Sequence, residues 1–448
     1  MNSDHPTVIA HKASLLNGAS GASAASKSPA LTQADLIEIL HKAGASDARA
    51  VSIEHPALGA ERRAALEALP GARTLVSYCV RMAREPIRSP ARSVANNEFH
   101  HTGHEVDDVG RKVMRLLDER GLRSLAVPMG FPMEMSEFPG RLWLIAHKTV
   151  AVAAGLGAMG IHRNVIHPRF GNFILLGTLV LETEVQAEGE PIDFNPCLEC
   201  KLCVAACPVG AIGAEGQFNF SSCYNHNYRE FMGGFTDWVE EVADSGSARE
   251  YRKRVPDSES TSMWQSLSFG ANYKAAYCLS VCPAGEEVIG PFLADRGSFQ
   301  RRHLKPLQEK IETLYVAPGS DAEAHARKRH PHKPLRHVGR TLRPSSIEQF
   351  AGGMPVVFQP GAAGDLDATY HFRFSGEEER ELTVTIASGR VRVQEGMVGS
   401  ADLLVRADSA TWVRFLRGDI SIVRALLTRR VRLEGPARLL IAFGRCFV

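Results

Sequence analysis

Seven of the nine cysteines in this 448-residue chain fall within one short segment, which is where metal chemistry is to be expected. Four of them, Cys197, Cys200, Cys203 and Cys207, form the run C-x2-C-x2-C-x3-C and are followed at once by Pro208. Three thiolates at this spacing surround one iron–sulfur cluster, and the fourth turns away to a neighbouring cluster. Zinc accepts the same ligands, but this run with its proline is more typical of two-cluster ferredoxins. The sequence therefore predicts iron–sulfur clusters.

A second motif, C-x3-C-P, and one isolated cysteine supply the remaining ligands. The first cluster, which we expect to be [4Fe-4S], takes four thiols: Cys197, Cys200, Cys203 and Cys282. The second takes three: Cys207, Cys223 and Cys278. Ala275 stands where an eighth cysteine would complete the pattern. Three alternatives follow: a [3Fe-4S] cluster, a four-iron cluster with a non-cysteine or solvent ligand, or no second cluster. Tyr277 and His226 are the nearest substitutes.

A glycine-rich turn lies before the cysteines. Gly155, Gly157 and Gly160 satisfy G-x-G-x-x-G, which is the fingerprint of dinucleotide-binding folds. In those folds the turn opens a helix that faces the pyrophosphate, whereas here Pro168 and Gly171 stop any helix early. The context therefore disfavours a nicotinamide cofactor.

The composition excludes several classes of protein. With 52 basic and 50 acidic residues, the formal net charge of +2 gives no field that would gather nucleic acid. No apolar run reaches the length of a membrane span, and the first residues lack the features of an export signal. Clustered cysteines suit metal ligation in a reducing compartment. We therefore expect a cytoplasmic protein that neither spans a membrane nor binds nucleic acid.

The hydrophobic pattern divides the chain into five parts. Thr32 and Asp35 predict a capped helix, and the apolar segments after it alternate between helix and strand, as in a layered α/β domain. The expected parts are a disordered N-terminus (1–30), a layered cofactor and substrate domain (31–185), an iron–sulfur module (186–316), a solvated basic linker (317–346) and a small α+β domain (347–448).

The last part resembles the sterol-carrier-protein-2 family. The resemblance rests on its alternating strands around Ser388-Gly389, on the strand A-D-L-L-V-R-A-D, on the L-R-G-D turn and on V-R-L-E-G-P before a final apolar helix. Members of that family enclose an apolar tunnel for lipids or acyl chains. The resemblance therefore implies a lipid-like ligand; the alternative is a domain that only docks on the rest of the chain.

The segment from about 50 to 290 resembles epoxyqueuosine reductases and reductive dehalogenases. The motifs are A-G-L-G-A-M-G, the downstream P-R-F-G, the L-G-T strand and the order of the cysteines. The resemblance implies an α+β chain with a nitroreductase-like layered domain, a ferredoxin-like two-cluster module and a small sterol-carrier-like domain. It also implies cobalamin with its lower base detached, which the clusters supply with electrons. Two departures, Ile161 for a basic residue and Arg141 for a carboxylate, put the epoxyqueuosine substrate in doubt.

Candidate site residues follow from the motifs and from this resemblance. Candidate catalytic groups are two imidazoles, one carboxylate and one guanidinium: His101, His104, Glu134 and Arg163. Candidate cofactor-binding residues lie in and after the glycine turn: Gly155, Gly157, Gly160, His162 and Asn164. Each has a plain structural alternative, namely helix capping, an ion pair or core packing.

The leading hypothesis is a cobalamin-dependent iron–sulfur reductase that acts on a hydrophobic small molecule and receives electrons from a flavodoxin- or ferredoxin-type donor. One alternative is an iron–sulfur electron carrier with a lipid-binding domain and no cobalamin chemistry. Another is a flavin-dependent reductase on the same layered fold.

Overall fold

The computed structural model of the protein describes residues 31–130, 142–186, 189–193, 195–197, 199–339 and 343–447, together with residues 9, 12 and 13. The expected disorder of 1–30 and the candidate Glu134 fall outside these residues, except for those three. Among the described residues, no helix is both long enough and apolar enough to cross a bilayer.

The secondary structure alternates early and becomes helical around the cysteines. The strands are β1 Asp47–Ser52, β2 Thr74–Arg81, β3 Ser124–Val127, β4 Ala158–Met159, β5 Val165–Ile166, β6 Ile174–Leu181, β7 Leu314–Val316, β8 Leu335–His337, β9 Ala368–Ser375, β10 Arg380–Ala387, β11 Arg390–Glu395, β12 Leu403–Asp408 and β13 Val431–Glu434. The α-helices are α1 Gln33–Ala43, α2 Ala60–Ala68, α3 Arg84–Arg88, α4 Arg92–Asp118, α5 His147–Ala153, α6 Leu202–Ala206, α7 Phe220–Asn227, α8 Gly233–Ala243, α9 Ala248–Arg254, α10 Asp257–Phe269, α11 Tyr277–Val281, α12 Gly290–Ala294, α13 Arg296–Phe299, α14 Lys305–Glu309, α15 Asp321–Arg329, α16 Ile347–Val357, α17 Pro360–Ala363, α18 Ser409–Arg417, α19 Ile422–Leu427 and α20 Ala437–Arg445.

An antiparallel sheet of order β1-β2-β6-β3 forms the first layer. Nearly every residue of β2 and β6 is buried, because helices α1 and α4 cover one face and α5 covers the other. The predicted capping box of α1 is present, with Thr32 and Asp35 bonded to each other. The chain is therefore α+β, with a layered first part as the sequence predicts.

The described part of the segment expected to be a solvated linker, residues 317–339 and 343–346, contains regular structure instead. Within 317–346, helix α15 buries Ala322 and Ala326, and β8 pairs in parallel with β7. The side chain of Lys333 is fully buried against Glu312, at 2.7 Å. The expectation of a linker was therefore wrong, because charges that suggest solvent in the sequence form internal ion pairs here.

A second sheet, of order β11-β10-β9-β12-β13, lies at the C-terminus. The inward residues of β9 and β10 pack with Trp412 of α18 and Phe443 of α20 into one apolar core. The alternation read from the sequence therefore corresponds to a sheet with one face covered by helices.

Candidate iron–sulfur and cofactor site

Two short turns with nearly the same backbone carry most of the cysteines. In the α6 turn, Lys201 has a left-handed backbone (φ 52°) before the helix, and Cys207 is extended after it. In the α11 turn, Ala276 (φ 51°) and Cys282 take the same conformations around a helix of the same five-residue length. A left-handed residue is costly for a side chain other than glycine, so its repetition indicates one common function for both turns.

The first cysteine group consists of Cys197, Cys200, Cys203 and Cys282. These four side chains line one cavity of about 240 Å³. Burial, and then the neighbouring thiols, raise the pKa of Cys282 to about 12. The backbone N–H of Ile161 points at Cys197 Sγ from 3.4 Å, as N–H groups do around sulfur clusters. The structure thus brings the four expected ligands together.

The second cysteine group consists of Cys207, Cys223 and Cys278. Burial raises the pKa of Cys223, and the thiols of Cys207 and Cys278 raise it further. Burial, followed by the thiol of Cys207, raises the pKa of Cys278 to about 11. Cys278 also acts electrostatically on Cys203 of the first group. The two groups are therefore neighbours, with Cys278 between them.

The fourth position of the second group has no cysteine. By its place before the left-handed residue, Ala275 corresponds to Cys200 of the α6 turn, and it is buried with the other cysteines. Of the two suggested substitutes, Tyr277 is engaged elsewhere, whereas Nε2 of the buried His226 has no hydrogen-bond partner among the described residues. The hydroxyl of Tyr277 donates to Glu312 Oε2 (2.5 Å), and His226 stacks on Tyr315.

Lys148, which the sequence analysis did not single out, stands beside the second group. Its Nζ donates to the carbonyl of Arg163 (2.7 Å) and to Oδ1 of Asn164 (3.1 Å). The Nδ2 of Asn164 lies 4.0 Å from Cys278 Sγ. Surrounding protein lowers the pKa of Lys148, and the thiols of Cys278 and Cys223 oppose that shift, although the side chain stays accessible. An accessible cation surrounded by protein marks a cleft.

Tyr228 also lies near the second group, because its phenol interacts with the thiol of Cys223, as the ammonium of Lys148 does. Burial, and then the thiol of Cys223, raise the pKa of its phenol, which therefore stays protonated at neutral pH. Its ring packs edge-on against Tyr273 and Phe231 at 5.7 and 5.1 Å. The surroundings of the second group thus include packed aromatic rings and one proton-bearing phenol.

The glycine turn forms a hairpin, not a nucleotide loop. Strands β4 and β5 pair across it, and Gly160 N–H bonds to the carbonyl of Asn164 (2.9 Å). A Cβ on Gly157 would meet the carbonyl of Ile166 at 2.7 Å, and one on Gly160 would meet the ring of His162 at 2.9 Å. Gly155 has a positive φ of 72°. Close packing of the chain on itself accounts for these glycines.

The remaining candidate site residues differ in how far they are exposed to solvent. His162 is buried, which lowers its pKa to about 4, and its Nδ1 accepts from the N–H of Asn164 (3.1 Å). Arg163 is exposed. His101 and His104 are exposed on α4, with ring centroids 6.2 Å apart.

The sequence does not point to Lys148 or Tyr228, because a single residue carries no spacing signal.

Two parts of the chain match family models. Residues 190–213 match the 4Fe-4S binding domain, and this span contains the whole first cysteine run. Residues 359–447 match the SCP-2 sterol transfer family. An iron–sulfur cluster and a sterol-carrier-like C-terminal part are therefore supported independently of the geometry.

Curated relatives are named epoxyqueuosine reductase. One from Leadbetterella byssophila is 26% identical over 182 residues, which are 38% of this chain and 55% of the relative. One from Lactococcus garvieae is 26% identical over 160 residues, which are 35% of this chain and 44% of the relative. The chain thus spans about half the length of these relatives.

Solved structures give matches of low similarity. An epoxyqueuosine reductase from Streptococcus thermophilus is 15% identical, with a TM-score of 0.32 over 67% of this chain and 81% of that chain. A reductive dehalogenase is 14% identical, with a TM-score of 0.38 over 64% and 37%. The sequence matches confirm the expected resemblance: the chain is similar to epoxyqueuosine reductases in its middle and to the SCP-2 sterol transfer family at its C-terminus.

Proposed function

We propose that this protein is an iron–sulfur reductase whose two clusters deliver electrons, one at a time, to a cobalamin held beside the second cysteine group. The observation that carries the proposal is the position of Cys278. It interacts with Cys203 of the first group, and it adjoins the cleft of Lys148 and Asn164. Electrons that enter at the first group would therefore leave at a cleft that can hold a reacting molecule.

The first group is the entry side in this proposal. Cys197 and Cys200 are partly exposed, and the cavity between the four thiols is lined by polar residues such as Glu199 and Lys201. A partly exposed cluster lets an external one-electron donor approach closely. A flavodoxin- or ferredoxin-type protein fits this function.

The cleft residues suit cobalamin in chemical type. Cobalamin carries amide side chains and a phosphate, and hydrogen-bond donors are what such groups need. Lys148, Arg163 and Asn164 supply an ammonium, a guanidinium and an amide there. Bound cobalamin would supply a metal-centred reductant for the substrate. Tyr228 keeps its proton at neutral pH and can donate it to a reduced product.

The substrate in this proposal is hydrophobic. Aromatic rings pack around Tyr228 near the second group, and the C-terminal part matches a sterol transfer family whose similarity implies an apolar ligand. A domain that holds a poorly soluble molecule raises its concentration near the cleft.

An anaerobic titration with cobalamin tests the proposal. Protein with reconstituted clusters should shift added cob(II)alamin to its base-off spectrum, and Lys148→Met should weaken this binding about tenfold because it removes one charged donor. Lys112→Met, which changes an exposed lysine of α4, is the matched control. If cluster-loaded protein leaves the cobalamin spectrum unchanged, the proposal fails and the electron carrier becomes the better explanation.

A further inference from the structure

One buried glutamine, Gln359, links the C-terminal part to the iron–sulfur part through its side-chain hydrogen bonds. Gln359 has no exposed surface and directly precedes α17. Its hydrogen bonds connect the two parts: Nε2 donates to Ser221 Oγ (3.0 Å) and Val357 O (2.9 Å), and Oε1 accepts from Asp321 N (3.1 Å) and Asn219 Nδ2 (3.4 Å). A fully satisfied buried amide fixes the groups around it.

Two of these partners belong to the start of α7, the helix that carries Cys223. Asn219 is its N-cap and accepts from the N–H of Ser222 (3.0 Å). Ser221 lies two residues before Cys223 and donates to the same cap (3.0 Å). The position of Cys223 therefore depends on a hydrogen-bond set that includes Gln359.

A second connection leads to Cys207. The carboxylate of Asp321 accepts from the N–H groups of Gly361 (2.8 Å) and Ala362 (2.9 Å), which binds α15 to α17. Helix α15 carries His325, which bonds to the backbone of Cys207 and packs on Gly210. Two ligands of the second group are thus tied to the C-terminal part. The described bonds of Gln359 and Asp321 reach no residue of the first group.

Gln359 is also tied to the apolar interior of its own domain. Its backbone N–H donates to the carbonyl of Cys446 (2.8 Å), directly after α20. That helix places Phe443 in the core, and Phe443 packs 4.5 Å from Phe447. A ligand that separates α20 from the sheet would therefore displace Gln359 as well.

We propose that Gln359 is a positioning residue through which a ligand in the C-terminal domain and the second cluster influence each other. The inference rests on the proposed function, in that the second cysteine group must hold a cluster. Displacement of α7 changes the hydrogen bonds and solvent around Cys223, and these set the potential of a cluster. Because coupling is reciprocal, reduction of the second cluster changes the ligand affinity by the same factor.

A redox titration followed by electron paramagnetic resonance tests this inference, with a fluorescent fatty acid as the probe. In the full-length protein, a saturating probe should shift the midpoint potential of the second cluster and leave that of the first unchanged. In Ser221→Ala, which removes the acceptor of the Gln359 amide, the shift should disappear. Thr383→Val is the matched control, because Thr383 is buried in the same domain and the hydrogen bonds of its hydroxyl, within the described residues, go to Gly396 and Val398.

The outcomes separate the inference from the proposed function. The inference is overturned if the probe does not bind, if it binds without moving either potential, if both potentials move equally, or if Ser221→Ala retains the shift. If the wild-type protein holds no second cluster, the proposed function fails and the inference fails with it. This outcome is visible before any probe is added.

Discussion

The α6 and α11 turns have the same backbone but not the same ligands. Both place a left-handed residue before a five-residue helix and an extended cysteine after it. Both continue as Cys-Pro-x-Gly, with a positive φ at Gly210 (63°) and Gly285 (114°). Yet Cys200 of the α6 turn corresponds to Ala275 of the α11 turn. The two turns thus share one backbone conformation although the α11 turn has one cysteine fewer.

The two turns also differ in the charges behind them. Helix α11 packs against α3, and the guanidinium groups of Arg88 and Arg92 lie there near Cys282 and Cys278. Within the described residues, Nε and Nη2 of Arg88 and Nε of Arg92 have no hydrogen-bond partner. Helix α6 instead accepts a bond from the neutral amide of Gln308, at the carbonyl of Ala205 (2.9 Å). We therefore expect the positive charges of Arg88 and Arg92 to tune the clusters that the cysteines of the α11 turn bind.

The largest effect should follow from removing the thiol that the α11 turn gives to the first group. Cys282→Ala removes the buried thiol that the α11 turn supplies and leaves three thiols, two of them partly exposed, so we expect loss of most of the iron and acid-labile sulfide of the first group. Cys446→Ala is the control, because Cys446 is equally buried but lies in the C-terminal domain. Equal iron content in both variants would remove Cys282 from the ligand set.

Restoring the missing thiol should make the two turns equivalent. In wild-type protein, mild oxidation should release the iron that no cysteine holds and give the resonance signal of a three-iron cluster. Ala275→Cys should suppress that signal because it supplies a fourth thiolate. The reverse change, Cys200→Ala, should create the same sensitivity in the first group. If the wild-type protein holds a second cluster and gives no such signal, another group holds the fourth iron.

The sequence predicted how these cysteines divide into two groups, because the spacing of a two-cluster run nearly determines that division. It also predicted the C-terminal strands, where buried apolar residues recur at every second position of β9, β10 and β12. The apolar residues predict a helix only from Val106 onward, whereas α4 begins at Arg92. The residues between these two positions are mostly polar and give no apolar helical pattern. Gly103 is tolerated within this helix because the side chain of Met129 occupies the space of a Cβ. Contacts of this kind join distant segments, so no local pattern reveals them.

The same reason explains why the sequence does not point to Lys148. Lys148 and Cys278 are far apart in sequence and meet only because the β4–β5 hairpin carries Asn164 between them. The glycine motif, by contrast, was visible but ambiguous, since a hairpin and a phosphate loop need the same freedom at φ.

The glycines after each cysteine should differ in how well they tolerate a side chain. At Gly285 a Cβ would collide with the backbone N of Gly171, whereas at Gly210 it would meet the side chain of His325 at 2.6 Å, and a side chain shifts at lower cost than the backbone. We expect Gly285→Ala to cost about 3 kcal/mol of unfolding free energy and Gly210→Ala about 1 kcal/mol. Urea unfolding of cluster-loaded protein measures both, and a reversed order would contradict this account of the α11 turn.

The smallest effect should come from the buried arginines, and it should be specific to one cluster. A nearby positive charge favours the reduced, more anionic cluster, so its removal lowers the reduction potential. Arg92→Met should lower the potential of the second cluster, and Arg88→Met that of the first, each on the order of 60 mV, a tenfold change for one electron. Arg301→Met, at an exposed arginine paired with Asp295, is the control.

Redox titrations that resolve the two clusters decide whether this assignment is right. Selective shifts are expected because Arg92 interacts with Cys278 and Arg88 with Cys282, which belong to different groups. If either arginine variant moves both potentials equally, the charges act on the whole module through a general field. The contrast between the two turns would then lie in Ala275 alone.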